Sequence, residues 1–324
     1  MTRIFLGVLA SIVLFAAPYA RSQDYPVRPI TIVVPFPAGG PVDTLARIIA
    51  APMSKTLGKP VIIENVPGAA GSIGVGRVAR ATPDGYTLSI GHWATHVVNG
   101  AVYPLQYDLI KDFEPLGMIA TNPMLIVSGP KVPANNLKEL VAWLNSNPDK
   151  ALLGTAGVGS LMHIGGLSFR KETGTTVTFV PYKGAAPAMQ DLLAGQIPTM
   201  VDQASNSLPH VRGGRIKAYA VTAATRLKSA PDIPTVDELG FPGLHVSVWY
   251  GLWAPKGIKQ EVIDRLNDAL RAALADPGVR QHLTDLGQEL PTREQMTPAG
   301  HGAYHQAEVQ KWWPIIKAAN IKIE

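Results

Sequence analysis

Apolar positions along this chain follow two alternating periods. The runs Ile30 to Phe36, Val61 to Asn65 and Tyr86 to Ile90 are short, rich in β-branched residues and largely free of polar interruptions. Such runs predict strands covered on both faces of a parallel sheet. After the first run, Leu45, Ile48, Ile49 and Met53 recur at helical spacing from Thr44 onward, and an alanine- and valine-rich segment from about Ile73 to Ala81 follows the second. Strand, loop and helix thus repeat from Tyr25 to about Ile119, the pattern of an α/β unit with a parallel sheet.

A second unit repeats the scheme. A helix is predicted over Asn136 to Asn145, with strands at Leu152 to Thr155, Thr176 to Pro181, Thr199 to Val201 and Ala218 to Thr222. Between the units, Met118 to Gly129 is an apolar stretch broken by Thr121-Asn122-Pro123, and His245 to Ala254 is a second apolar return. These read as two crossovers, so the chain leaves one domain and comes back to it. The return leads into an amphipathic helix over Glu261 to Ala275, another helix in PGVRQHLTDLG, and a helical tail from Pro298 to Ala319 that Pro314 is expected to kink or break.

Glycine-rich turns follow several of the strands. In ITIVVPFPAGGPVD, Gly39 and Gly40 let backbone approach a ligand without a Cβ in the way, and Asp43 sits at the start of a helix as a cap or as part of a site. No Gly-Lys-Ser/Thr follows, so this is not a phosphate P-loop. The second strand runs into VPGAAGS, and the third delivers His92 to a strand's carboxyl end, the usual ligand crevice of open α/β sheets. In the second unit Ser160 is placed as a helix cap or a ligand hydroxyl. The turn at Lys183, Gly184, Ala185 and Ala186 can aim N–H groups at an anion, and Asp202 stands at a strand end as a ligand contact or a cap.

The first residues change the picture of where this happens. Arg3, an uncharged apolar run from Ile4 to Ala17 and the small-x-small pattern Ala20-Arg21-Ser22 predict a secretory signal peptide over residues 1–22. That run is short for a membrane span, and with no cysteine in the chain a lipoprotein anchor is excluded, so a periplasmic protein not anchored to the membrane is expected. Loss of Arg3 and Arg21 takes the formal charge from +5 to 5 − 2 = +3. The cations are scattered, which argues against a nucleic-acid partner.

Catalytic sets are missing. There is no HExxH and no carboxylate cluster at metal-ligand spacing, and GVGS around Ser160 lacks the GxSxG order of a nucleophile elbow. His301 and His305, one helical turn apart, are expected on a surface face. An exported hydrolase is therefore the weakest reading; no cofactor and no metal are expected, and a cleft that binds and releases is the strongest.

The segments YPVRPITIVVPFPAGGPVDTLARIIA, VIIENVPGAAGSIGVGRVARATPDGYTL, GVGSLMHIGG, VPYKGAAPAMQDLLAGQI and SLPHVRGGRIKAYAVT together resemble the Bug family, the substrate-binding receptors of tripartite tricarboxylate transporters. The resemblance implies a type II periplasmic-binding-protein fold, with two α/β domains joined by crossover strands around a ligand cleft. Residues 23–122 and 248–324 would form a carboxylate-gripping domain and residues 123–247 a specificity domain. It implies that a carboxylate is held through backbone groups and waters instead of an arginine. By motif, Phe36, Ala38, Gly39, Gly40 and Asp43 form the first grip, and Asn65, Gly68, Ala69 and Gly71 the second, with His92 at the third strand. Thr155, Ser160, Lys183, Gly184, Ala185, Ala186 and Asp202 would read the variable part of the ligand. The implied role is uptake of a small carboxylate, a dicarboxylate or an aromatic acid, by a monomer that passes it to transporter membrane subunits; a sensory receptor of the same fold is the alternative. The polar run Gln203 to Ser207 departs from the family's usual pattern, and Trp93 is either a ligand contact or core.

Overall fold

The structure, a computed structural model, describes residues 25–318. The expected signal peptide lies outside the described residues. Strands β1 (Ile30–Val34), β2 (Val61–Asn65) and β3 (Thr87–His92) are parallel, with β1 in the centre. Helices α1 (Pro41–Leu57) and α2 (Ser72–Ala79) follow β1 and β2. Helix α1 begins three residues before the predicted start, because Pro41 fits the first helical position, where no backbone N–H is needed.

After β3 the chain makes a π-helical turn, Ala94–Val98, and the short α3 (Asn99–Val102), neither of which the sequence pattern signalled. It then enters β4 (Phe113–Ser128). Thr121-Asn122-Pro123 does not interrupt this strand: Thr121 pairs with Trp249 and Pro123 with Ser247 in the ladder with β9 (Ser247–Pro255), whose two register shifts come earlier, between Pro115 and Gly117 and between Met118 and Ala120. The missing N–H of Pro123 is tolerated where β4 passes from one set of partners to another. Up to Pro123 its partner is β9, which also pairs antiparallel with β3; from Met124 its partners are β7 (Thr199–Gln203) and β8 (Lys217–Val221). Beyond β7 lie the parallel β5 (Leu152–Thr155) and β6 (Thr178–Pro181). The continuous strand order β2-β1-β3-β9-β4-β7-β5-β6 is therefore a curled sheet of two α/β halves joined through β4 and β9.

Helices α4 (Leu137–Ser146), α5 (Leu161–Thr173), α6 (Ala185–Ala194) and α7 (Ala204–Arg212) belong to the second half. Helices α8 (Gln260–Ala275), α9 (Pro277–Asp285) and α10 (Pro298–Ala318) return to the first. The break allowed for at Pro314 does not occur, since α10 runs through it. Aromatic anchors hold the turns around it: Trp313 donates to the Val97 carbonyl at 2.8 Å, and Trp312 lies edge-on to Trp93, 5.1 Å between ring centroids. Trp93 is itself core, 5% exposed.

His301 and His305 also differ from expectation. Both are buried, beneath Trp253 and beside His96, which stacks on the Trp253 indole at 3.6 Å. The face of α10 that carries them covers β9, so their one-turn spacing served the core. No group of three potential metal ligands occurs among the described residues.

Candidate functional site

The cleft between the two halves is built from four helix N-termini. Phe36, Pro37, Gly40, Pro41 and Val42 line it from the entry to α1, and His92 from the end of β3. Facing them are Ala156, Ser160, Leu161 and Met162 at the entry to α5, Ala185 at the first position of α6, and Gln203 at the N-cap of α7. None of these residues carries a formal charge at neutral pH. The electrostatic character of the site therefore comes from peptide dipoles, roughly half a positive charge at each helix start.

The first lip is braced from behind. The Asp43 carboxylate accepts from Gly39 N–H at 2.9 Å, from Arg47 at 2.9 and 3.0 Å and from Asn65 Nδ2 at 2.9 Å. The Asn65 amide also donates to the Phe36 carbonyl at 3.0 Å. Burial opposes ionisation of Asp43, but the Arg47 guanidinium, the Gly39 N–H and the Asn65 amide together hold its carboxyl below the ordinary range. Asp43 and Asn65 thus shape the loop and are not among the residues that line the cleft. Ala38 and Gly39 are exposed beside it.

The second glycine loop lies further back. Gly68, Ala69, Ala70 and Gly71 all have positive φ, which is strained for the two alanines. Asn99 Nδ2 holds the Ala70 carbonyl at 3.0 Å. A Cβ on Gly71 would fall 2.7 Å from Thr95 and 3.2 Å from the Phe36 ring, so close packing requires glycine there. The loop buttresses Phe36 and does not reach the cleft lining.

His92 does line the cleft. Its ring stacks on Phe36 at 5.2 Å and meets Tyr250 edge-on at 6.0 Å. Nδ1 accepts from the N–H groups of Ala94 and Thr95 at 3.1 and 3.4 Å, which puts the proton of the neutral ring on Nε2. Burial lowers its pKa to about 4, so at neutral pH His92 is an uncharged N–H donor of fixed tautomer.

In the second half, Ser160 is both lining and cap: its Oγ accepts from His163 N–H at 3.2 Å. Thr155 is buried beneath the loop and accepts weakly from Gly157 N–H at 3.4 Å. Lys183 is exposed, and Ala185 is the member of its turn that lines the cleft. Asp202 is fully buried, its Oδ2 taking Ser207 Oγ at 2.6 Å and Asn206 Nδ2 at 2.8 Å. Burial nevertheless pushes its pKa up to about 6. It ties down two side chains of the first turns of α7, and the side chain next to it, Gln203, is the one that lines the cleft, within hydrogen-bonding reach of Tyr250 Oη. Strand alternation decides this: successive residues of β7 point to opposite sides. Met162 and Leu161 gave no separate signal in the sequence, being indistinguishable from core positions of α5.

The lips touch. Tyr103 Oη donates to the Val158 carbonyl at 2.7 Å, and a Cβ on Gly184 would fall 2.7 Å from Pro37 Cδ. The space left between them is about 20 Å³, room for one water.

Fold and cleft define a solute-binding protein built of two α/β halves on one curled sheet. The chain belongs to the tripartite tricarboxylate transporter receptor family, TctC, whose model matches residues 45–321. This is a family of periplasmic binding receptors and not of enzymes. The "UPF0065 protein in the TAR-I ttuE-ttuC' intergenic region" of Agrobacterium vitis is 39% identical over 320 residues, covering 98% of this chain and 92% of its own. The periplasmic binding protein BugD has 41% identity and a TM-score of 0.88, over 92% of this chain and 99% of its own. MatC from Rhodopseudomonas palustris, solved with bound malate, has 40% identity and a TM-score of 0.85, over 90% of this chain and 100% of its own. Among the described residues no helix is long and apolar enough to cross a membrane.

Proposed function

We propose that this chain is a periplasmic receptor for a small dicarboxylate, which it delivers as a monomer to the membrane subunits of a tripartite tricarboxylate transporter. The observation that carries this reading is the convergence of α1 from one half and α5, α6 and α7 from the other on a cleft without a charged lining residue. A helix N-terminus offers free N–H groups and a positive dipole end, so one anionic group fits at each side. The malate bound by MatC supports a ligand of this class.

In this reading residues 23–122 and 248–324 grip one carboxylate at the start of α1, helped by the Nε2–H of His92. Residues 123–247 read the rest of the ligand through Ser160, Met162, Ala185 and Gln203. Closure is a ligand-driven population shift, because the ligand touches both halves only when they are shut.

Thermal melting of the protein from Gln23 onward, against mono-, di- and tricarboxylic, amino and aromatic acids, tests the assignment. A dicarboxylate at a hundred times its dissociation constant should add roughly 2.7 kcal/mol. A shift confined to aromatic acids would replace the dicarboxylate, and no shift from any acid on ligand-free protein would end the carboxylate reading.

A further inference from the structure

A second hollow, of about 380 Å³, shares no residue with the cleft. One wall is Leu227, Lys228 and Ser229, in the segment after β8; the other is α9 and the residues up to Leu290. It lies beside the crossover: Thr121 of β4 exchanges backbone hydrogen bonds of 2.8 and 2.9 Å with Glu289. Arg212, at the end of α7, ties the walls together, donating to the Asp285 and Ser229 carbonyls at 2.7 Å each.

Two features there point to a ligand. Gln288 is only 4% exposed, yet neither Nε2 nor Oε1 has a hydrogen-bond partner, and the buried Oγ of Ser229 has none either. An unsatisfied buried polar group is costly, and these are gathered at one hollow. At the rim, Lys228 and Arg280 are exposed cations without an ion-pair partner within 4 Å among the described residues; Glu289 is the one carboxylate in the lining. Arg280 also faces an adjoining hollow with Arg271 and Arg293, against the single acid Asp268, so the positive field extends beyond this site.

We propose that this hollow is a second binding site, for a small hydroxycarboxylate, and that its occupancy is coupled to opening and closing of the cleft. Lys228 and Arg280 receive the carboxylate. Gln288 Oε1 is an acceptor, which the oxygens of a plain anion do not satisfy and a hydroxyl does. The unpaired atoms of Gln288 and Ser229 are sealed from solvent in this structure, so binding requires both side chains to turn about their torsions into the hollow that their residues line. Coupling follows from the walls: Leu227 to Ser229 follow β8, which pairs with β4 beyond Met124, whereas Glu289 pairs with β4 at Thr121, on the other side of the crossover. A solute touching both walls favours one separation of the halves, and linkage makes the effect reciprocal with the cleft ligand.

Calorimetric titration of the protein with glycerate, beside propionate and inorganic phosphate, tests this. Glycerate is expected to bind a cleft-blocked Gly40→Val protein at least tenfold more tightly than propionate or phosphate. Arg280→Gln and Gln288→Leu should each weaken it tenfold or more, in both backgrounds, while succinate binding to the unblocked cleft persists. Gln288→Leu should not lower the melting temperature, since it removes unpaired polar atoms; a purely structural glutamine would lower it. Glycerate should shift succinate affinity at least threefold, and an unchanged affinity would overturn the coupling. Failure of glycerate to bind Gly40→Val, indifference to both hollow substitutions, or equal binding of phosphate would overturn the site. If succinate fails on the wild type while variant-sensitive glycerate binding persists, the cleft reading falls and the hollow stands.

Discussion

The two lips of the cleft use the same device, a helix N-terminus behind a glycine turn, but are stiffened to different degrees. Behind the α1 lip, Asp43, Arg47, Asn65 and the Gly39 N–H form a closed set of charge-assisted bonds, and a strained second loop presses on Phe36. Facing it, the α5 lip is held by uncharged bonds, the Ser160 cap and the Gly159 N–H to His163 Nδ1, and with Ala185 of α6 it presents Met162, Leu161 and Ala156, small or flexible apolar groups that repack easily. A braced lip suits a feature common to all ligands, and an adaptable one suits what varies between them.

Acid should separate the halves most. The first holds His92, His96, His301 and His305, all buried, and burial lowers the pKa of each, to about 4 for His92 and His305. Their folded pKa lies below the unfolded value near 6.5, so the unfolded chain binds more protons and stability falls as pH drops from 6.5 toward 4. The loss is roughly 3 kcal/mol for a group shifted from 6.5 to 4. In the second half Asp202 has the opposite sign: raised to about 6, it favours the folded state as pH falls from 6 to 3.8. Hydrogen exchange at pH 7 and pH 4.5 should show protection lost first in β3, β9 and α10. Loss beginning in β7 and α7 would reverse the assignment.

Substitutions at the lips sharpen the contrast further. Gly40→Val should weaken every cleft ligand a hundredfold or more with little change in stability, because φ at Gly40 is −83° and the nearest atom to an added Cβ is the Pro37 carbonyl oxygen at 3.6 Å. Gln203→Ala should change affinities unequally, several-fold for some acids and little for others. Equal effects of the two across an acid panel would mean that the lips do not divide the work. The smallest effect is expected for Tyr103→Phe, which removes the lip-to-lip bond to Val158: about 1 kcal/mol, read as a roughly fivefold faster ligand release in stopped flow.

Strand and helix order, both crossovers and the glycine turns were legible in the chain because each is written in local signals: apolar period, chain-turning residues and caps. Ser160, Ala185, Gly40, Phe36 and His92 were legible as cleft residues because strand ends and helix starts converge in any such sheet. Asp202 and Gln203 were not separable, since which of two neighbours faces the cleft depends on the register of β7 against β4. Likewise the spacing of His301 and His305 fits a surface face or a buried one equally, until β9 and Trp253 are seen to cover it.

By itself, then, the sequence determined a two-part α/β receptor with glycine turns at its strand ends, since backbone conformation and burial pattern are properties of short segments. Only the tertiary structure decided that Asp43 and Asn65 brace the lip without lining it, that the histidines of α10 join His96 in the core, and that Gln288 and Ser229 meet across a hollow beside the crossover. Those outcomes depend on which distant segments come into contact, and no local period encodes that.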